Sequence, residues 1–387
     1  MYKNSNTDCS LFISGDFCPA VIPSNLLFKQ TTANSIFGDL YDIIRDSDLS
    51  ITNLECPLTS TTDQTKKVGP NLKADPKIAN LLKDAGFNMV TLANNHIFDF
   101  GQQGLEDTLK VLQKNGISHV GAGLTLLEAQ RTLYQIIKGI KLAIVNFAEV
   151  EYSCANDEHG GASPMNLVDN FNQIREAKKM SNHVLVIVHG GHEHYLYPSP
   201  ETLKRYRFYA KAGASAVIAH HTHCMGGFER YEGVPIFYSL GNFFFPVRNE
   251  KSSLWYEGYA VLLRIINDGI DFEVLPYEQC KAGGLSIDGS RSDEMLRKIM
   301  DINRVLVDEA KLSKMWSNFV EEQSPYYLSK MSGFGRYKTA ILRRLGLIKY
   351  FYRKTQFEFA RQMLRCEAHK EVGLGVLSKY LRKRSHS

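Results

Sequence analysis

From residue 10 to about 277, short β-rich runs alternate with longer segments of helix-like apolar spacing, and this alternation restricts the chain to an α/β architecture. The predicted strands are Leu11–Ser14, Leu49–Thr52, Asn88–Leu92, Leu142–Phe147, His183–Val188, Ala214–Ala219 and Val234–Ser239. Helical patterns fall between them at Pro76–Ala85, Leu105–Asn115, Leu167–Met180 and Glu201–Ala212. The last has an explicit start, because Ser199 can cap it and Pro200 stands where a missing N–H costs nothing. Near the end of the region, Tyr259–Ile266 and Ile270–Leu275 flank Asn267-Asp-Gly269, a hairpin signal.

Five polar clusters share one address, at or just past the C-terminal end of a predicted strand. They are Gly15-Asp16, Asn53-Leu-Glu55, Asn94-Asn-His96 with Asp99, His189-Gly-Gly-His-Glu-His194 and His220-His-Thr-His223. That edge is where open α/β sheets bind ligands, so five loops are expected to converge there. Six of the 12 histidines occupy the ten positions 189–194 and 220–223. Imidazole beside Asp, Glu and Asn oxygens suits a borderline divalent ion better than Ca or Mg. Seven scattered cysteines, with no C-x-x-C pair, suggest neither a disulfide framework nor a zinc ribbon, and fit a reducing compartment.

Taken singly, most of these residues have ordinary readings. Asp16 after Gly15 is a common turn residue, Glu55 a solvated strand-end charge, and Asn94 and Asn95 are turn formers. His189 differs, because it follows the buried-looking run Val184–Val188 and precedes two glycines that let another group come close. His221 and His223 can both face a site if their segment turns rather than continuing as a strand. His192, His194 and His220 read as neighbours rather than ligands. His96 and Asp99 read either as an imidazole held by a carboxylate or as an acid at a helix start.

Together the motifs resemble the CapA family of capsule (poly-γ-glutamate) synthesis proteins. Gly15-Asp16, Asn53-Leu-Glu55, Asn94-Asn-His-x-x-Asp-x-Gly101, His189-Gly-Gly-x-Glu193 with Pro198-Ser-Pro200, His220-His-x-His223 and Tyr238-Ser-Leu-Gly-Asn-Phe243 occur in that family's order and spacing. The resemblance implies a calcineurin-like metallophosphatase fold, a four-layer α-β-β-α sandwich with the metal site at the strand ends. It implies one or two divalent ions (Mn, Zn or Fe) on Asp16, Glu55, Asn95, His189, His221 and His223, with Glu55 bridging. His96 would be the catalytic imidazole and Asp99 its orienter. Asn94, Glu193, His220 and Asn242 are expected beside that shell, contacting it or a substrate. Two departures stand out: the metallophosphatase Asp-x-His reads Asp16-Phe-Cys18, and the common CapA His-Trp-Gly reads His189-Gly-Gly191.

The implied function is metal-dependent hydrolysis, of a phosphoester foremost, in capsule, poly-γ-glutamate or related surface-polymer synthesis. The alternative is a non-catalytic assembly component that keeps the fold and a structural metal. Partners are then an anionic polymer or phosphoester and other capsule-synthesis proteins.

A domain boundary is expected near Gly283-Gly284, separating residues 1–280 from a helical, basic region 281–387. That region holds 22 Lys and Arg against 11 Asp and Glu, whereas the residues before it are net acidic. From Lys330 onward, 15 basic residues interleave with aromatic and aliphatic ones against 3 acidic residues, a pattern of basic amphipathic helix. Peripheral membrane contact through this region is one reading, and packing of its apolar face on the core is the other. No nucleic-acid motif is present. With no apolar leader at Met1–Ser10 and no apolar run of spanning length, the expectation is a cytoplasmic protein, at most peripheral to the inner membrane.

Overall fold

The computed structural model describes residues 9–20, 32–246, 252–266, 269–280, 287–332, 335–347, 354–366, 368–370 and 372–377. Strands are numbered in chain order. One sheet runs β16 (Ile287–Asp288), β15 (Gly269–Gln279), β14 (Glu257–Ile266), β1 (Cys9–Phe17), β2 (Leu49–Leu54), β3 (Met89–Thr91) and β4 (Ser118–Val120). A short β13 (Asn242–Phe244) pairs with the end of β1. The other sheet runs β11 (Phe228–Tyr231), β12 (Val234–Phe237), β10 (Ala216–His220), β9 (His183–His189), β7 (Ile140–Ala148) and β6 (Leu133–Ile137). A small ribbon pairs β5 (Ala122–Gly123) with β8 (Gly161–Ala162).

The seven strands expected from sequence are all present, with boundaries moved by a few residues. Helices Ile78–Ala85, Gly101–Lys114, Leu167–Met180 and Pro200–Ala212 occupy the four helical patterns, and Ser199 Oγ caps the last by accepting from Thr202 N–H. The hairpin strands pair as β14 and β15, with Ile266 opposite Gly269; positions 267 and 268 of the turn lie outside the described residues.

Alternation along the strands dictates the layers. In β7, Leu142 and Ile144 join Leu185, Ile187, Ala216 and Ile218 in one cluster with Leu11, Ile13, Leu49 and Ile51 of the first sheet. The two sheets therefore pack face to face. The intervening residues of the second sheet, such as Ala143, Val145, Val184 and Val186, instead meet Ile174, Tyr206 and Tyr209 from helices outside it. Phe12, Leu54 and Val90 likewise meet Ile78, Leu82 and Leu105 from helices outside the first sheet. The result is an α-β-β-α sandwich.

The parallel strands β1, β2 and β3 of one sheet and β9 and β10 of the other carry the five polar clusters at their C-terminal ends. Gly15 permits a close approach there: a Cβ on it would stand 2.0 Å from the Gly241 carbonyl oxygen. Asp16 N–H donates to that same oxygen at 3.1 Å.

The chain divides into two compact units at Trp316 and Ser317, beyond the boundary expected at residue 280. β16 pairs with β15, so the stretch read as wholly helical contains a strand. The helix Ser292–Leu306 buries Met295 and Ile299 in the intersheet cluster. Its apolar face makes it part of the sandwich. Beyond Ser317 the described residues are chiefly helical, with helices at Gly335–Arg344 and Lys354–Arg365. No helix among the described residues is long and apolar enough to cross a membrane.

Candidate metal centre

Asp16 lies where β1 shifts register against β2, and this irregularity turns its side chain into the cleft at the strand ends. Its Oδ1 accepts from Asn53 Nδ2 at 2.7 Å and its Oδ2 from His221 N–H at 3.1 Å. Glu55, one residue past β2, is completely buried, and neither carboxylate oxygen has a hydrogen-bond partner among the described residues. Its Oε1 stands 3.4 Å from His189 Nε2 and 3.7 Å from His223 Nε2. A buried carboxylate without a donor is costly, and a bound cation would offset that cost.

The donors fall into two groups that share Glu55. Glu55, His189 and His221 form one and Asp16, Glu55 and His223 the other, with the donor atoms of each within 4.8 Å of one another. Each group could hold a metal ion. Asn95 Oδ1 lies 3.0 Å from His189 Nε2 and adds an oxygen to the first group. His221 and His223 reach the cleft because the chain leaves strand geometry directly after His220, with positive φ of 96° and 56°. Such backbone costs roughly 1–3 kcal/mol per residue and persists where surrounding structure fixes it. Here Thr222 Oγ1, donating to Ser239 Oγ at 2.8 Å, helps to fix it.

Burial pushes His221 down to about 4 and His220 to about 3, and it holds His189 and His223 well below the ordinary histidine value, reinforced by neighbouring imidazoles. All four are neutral at pH 7, the form that binds metal. Burial raises Asp16 to about 7 against the pull of the Asn53 and His221 donors. Glu55 is raised well above its usual range, first by burial and then by the charges of Asp16 and Glu193. Neutral imidazoles beside carboxyls whose ionisation waits for a counter-charge are a donor set suited to divalent ions.

His96 Nδ1 lies 2.6 Å from Asp99 Oδ2 in the turn before the helix Gly101–Lys114. Asp99 thus faces the imidazole, and it takes further donors from Leu72 N–H at 2.7 Å and from Lys67 Nζ. Asn94 braces the turn, accepting from His96 N–H at 3.1 Å and donating to the Leu54 carbonyl at 2.9 Å. Asn242 Oδ1 lies 3.0 Å from His223 Nδ1, and its amide donates to the Trp255 carbonyl at 3.1 Å. His220 Nδ1 is 3.5 Å from Asp16 Oδ1. Glu193 is exposed and acts on Glu55 and Glu151 through its charge. His192 lies against Trp316 with the rings tilted by 36°, and His194 lies by Trp255. Cys18 is buried, as is Cys56 beside it.

Sequence alone assigns Asn53, present in the Asn53-Leu-Glu55 cluster, no role of its own and does not single out Glu151 or Lys67. Asn53 spans Asp16 and His189, with its Nδ2 3.3 Å from His189 Nδ1. Glu151 Oε1 lies 3.9 Å from His221 Nε2. Glu151 follows β7, so the strand-end rule that flagged the other clusters would also have flagged it. Lys67 comes from an irregular loop and offered no such signal.

The model of the family described as bacterial capsule synthesis protein PGA_cap matches residues 10–247, which contain all six motifs. The PGA biosynthesis protein CapA of Bacillus subtilis is 34% identical over 223 residues, covering 56% of this chain and 58% of that protein. The capsule biosynthesis protein CapA of Bacillus anthracis is 33% identical over 231 residues, covering 57% and 56%. A probable polyglutamine synthesis accessory protein of Mycobacterium tuberculosis is 27% identical over 209 residues, covering 51% and 55%. The chain therefore spans little more than half the length of the curated relatives it matches. On the extent of the family match, this chain belongs to the bacterial capsule synthesis protein family PGA_cap.

Proposed function

We infer that this protein is a metal-dependent hydrolase, acting on a phosphoester foremost, in the synthesis of capsule, poly-γ-glutamate or a related surface polymer. The observation that carries this reading is the buried, donorless carboxylate of Glu55 shared by two groups of metal-binding side chains. Asp16, Glu55, Asn95, His189, His221 and His223 would hold one or two ions of Mn, Zn or Fe. When bound, such ions supply Lewis-acid polarisation of a phosphoryl or carbonyl oxygen and make water more acidic.

The remaining steps belong to the chain itself. Asp99 accepts the Nδ1–H of His96 and fixes the ring, which leaves Nε2 to exchange a proton with the reacting group. Protonated, Nε2 donates to a departing alkoxide. Asn94 keeps the turn, and with it the ring, in place. Asn242 engages His223 Nδ1 and so leaves its Nε2 directed at Glu55. Hydrolysis of aryl phosphate mono- and diesters with Mn, Zn or Fe tests the reading. His189→Ala and Glu55→Gln are expected to abolish it, and equal activity in all three proteins would refute the assigned site.

A second reading is favoured by Cys18, a thiol where the metallophosphatase pattern has an imidazole. In it, the protein is a capsule-assembly component with a structural metal and no turnover. In either reading the C-terminal helices are proposed to contact an anionic membrane surface. Tyr337, Ile341 and Leu345, spaced four apart, are 58–88% exposed beside Lys338, Arg343 and Arg344. Full-length protein is expected to float with anionic and not with neutral liposomes, and equal recovery in both would remove this contact.

A further inference from the structure

We propose that Lys67 is a positioning residue for the His96–Asp99 pair, held for that purpose by the loop between Leu58 and Ala74. The inference rests on the reading of His96 as the proton-handling imidazole.

The loop is closed at its base by a bridge between Leu58 and Ala74, with Thr59 N–H donating to the Ala74 carbonyl at 3.1 Å and Ala74 N–H to the Pro57 carbonyl at 3.0 Å. Such a closed loop keeps its shape without helix or strand. Three of its residues converge on the turn that carries His96 and Asp99. Thr65 N–H donates to the Asp99 carbonyl at 2.9 Å, and Thr65 Oγ1 to the Phe98 carbonyl at 2.6 Å. Leu72 N–H takes the Asp99 carboxylate oxygen Oδ2 at 2.7 Å. Lys67 Nζ takes the other oxygen, Oδ1, and also the Asn95 carbonyl at 3.3 Å.

This Lys67 is not a surface lysine. Its side chain is 5% exposed, that of Asp99 is fully buried, and Nζ stands 3.2 Å from His96 Nδ1. A lysine is rarely buried unless it is paired, and here it supplies the formal counter-charge to Asp99. With Lys67 on Oδ1, Oδ2 accepts both Leu72 N–H and the Nδ1–H of His96, and the ring orientation follows. The same ammonium grips the backbone of Asn95, whose side chain belongs to the metal-binding group. Lys67 thereby fixes the imidazole relative to the backbone that carries Asn95.

The test uses the full chain loaded with Zn²⁺ and compares wild type, Lys67→Met, Lys67→Arg and Lys67→Gln. Histidine-labelled NMR reads the Nδ1–H resonance of His96, assigned by its loss in His96→Gln. Steady-state kinetics on an aryl phosphate diester reads kcat and KM separately, and elemental analysis reads bound zinc. In Lys67→Met the His96 resonance is expected to shift or broaden and kcat to fall about 10- to 100-fold, with KM and zinc content unchanged. Lys67→Arg, which keeps the charge, is expected to restore the resonance and part of kcat. Lys67→Gln keeps reach and a donor without charge, and covers the case in which the Met variant does not fold. An unchanged His96 resonance in both uncharged variants overturns the proposal. If wild type hydrolyses nothing while its His96 resonance still depends on Lys67, the hydrolase reading falls and the positioning role stands.

Discussion

In the unit that ends at Trp316, β9 is buried along its whole length from His183 to His189, and the polar residues Asp16, Glu55, Asn94 and Asp99 are buried with it. In the unit that begins at Ser317, Tyr337, Ile341, Leu345, Phe359 and Leu364 are all more than half exposed. The first therefore places polar groups inside, where hydrogen bonds satisfy Asp16, Asn94 and Asp99 and leave the Glu55 carboxylate without a donor among the described residues. The second places apolar groups outside, where a partner surface would cover them. A basic charge on the second makes an anionic surface complementary to it.

The contrast can be challenged by truncating one apolar side chain in each unit. Ile218→Ala in the intersheet core is expected to cost about 2–5 kcal/mol in urea unfolding. Leu345→Ala, 62% exposed, is expected to stay within about 0.5 kcal/mol. Comparable losses at both sites would mean that the helical unit has a core of its own around Leu345.

Charge provides a finer comparison. Replacing Lys338, Arg343 and Arg344 together by Glu should weaken partition onto anionic vesicles by at least about 3 kcal/mol, at roughly 1 kcal/mol per basic residue removed. Metal content and ester hydrolysis should not change. A drop in hydrolysis in parallel with partition would tie the tail to the site and end the division of labour drawn here.

A smaller effect concerns pH. Asp16 is raised to about 7 by burial and Glu55 is raised further above its usual value, so the metal-free fold binds more protons there than the unfolded chain does. Through this window the two carboxyls make the metal-free fold less stable as pH rises, and a bound cation reverses that by replacing the protons. The gain in Tm on adding Zn²⁺ is therefore expected to be larger at about pH 7.5 than at about pH 5.5. A gain that grows on acidification would contradict the assignment of these carboxyls.

The buried strands were legible because a strand covered on both faces reads as a continuous apolar run, as Val184–Val188 does. The five clusters were legible because the ends of such runs mark the binding edge. β4 and β16 were not, since Ser118-His-Val120 and Ile287-Asp288 carry no such apolar run and are created by their pairing. The extent of the sandwich past residue 280 was not legible for a related reason. Periodicity shows that Ser292–Leu306 has an apolar face, but not that Met295 and Ile299 enter the sandwich. Lys67 lay beyond reading altogether, because nothing local distinguishes a lysine in an irregular loop from a solvated one until Asp99 folds against it.

The direct measurement of the central claim is elemental analysis of the full chain after loading with Zn or Mn and removal of excess, for wild type and Glu55→Ala. About two ions per chain in wild type and a loss of at least one in the variant are expected, since both donor groups depend on the same carboxylate. A wild type that retains no ion, or a Glu55→Ala variant that keeps the full complement, would contradict it.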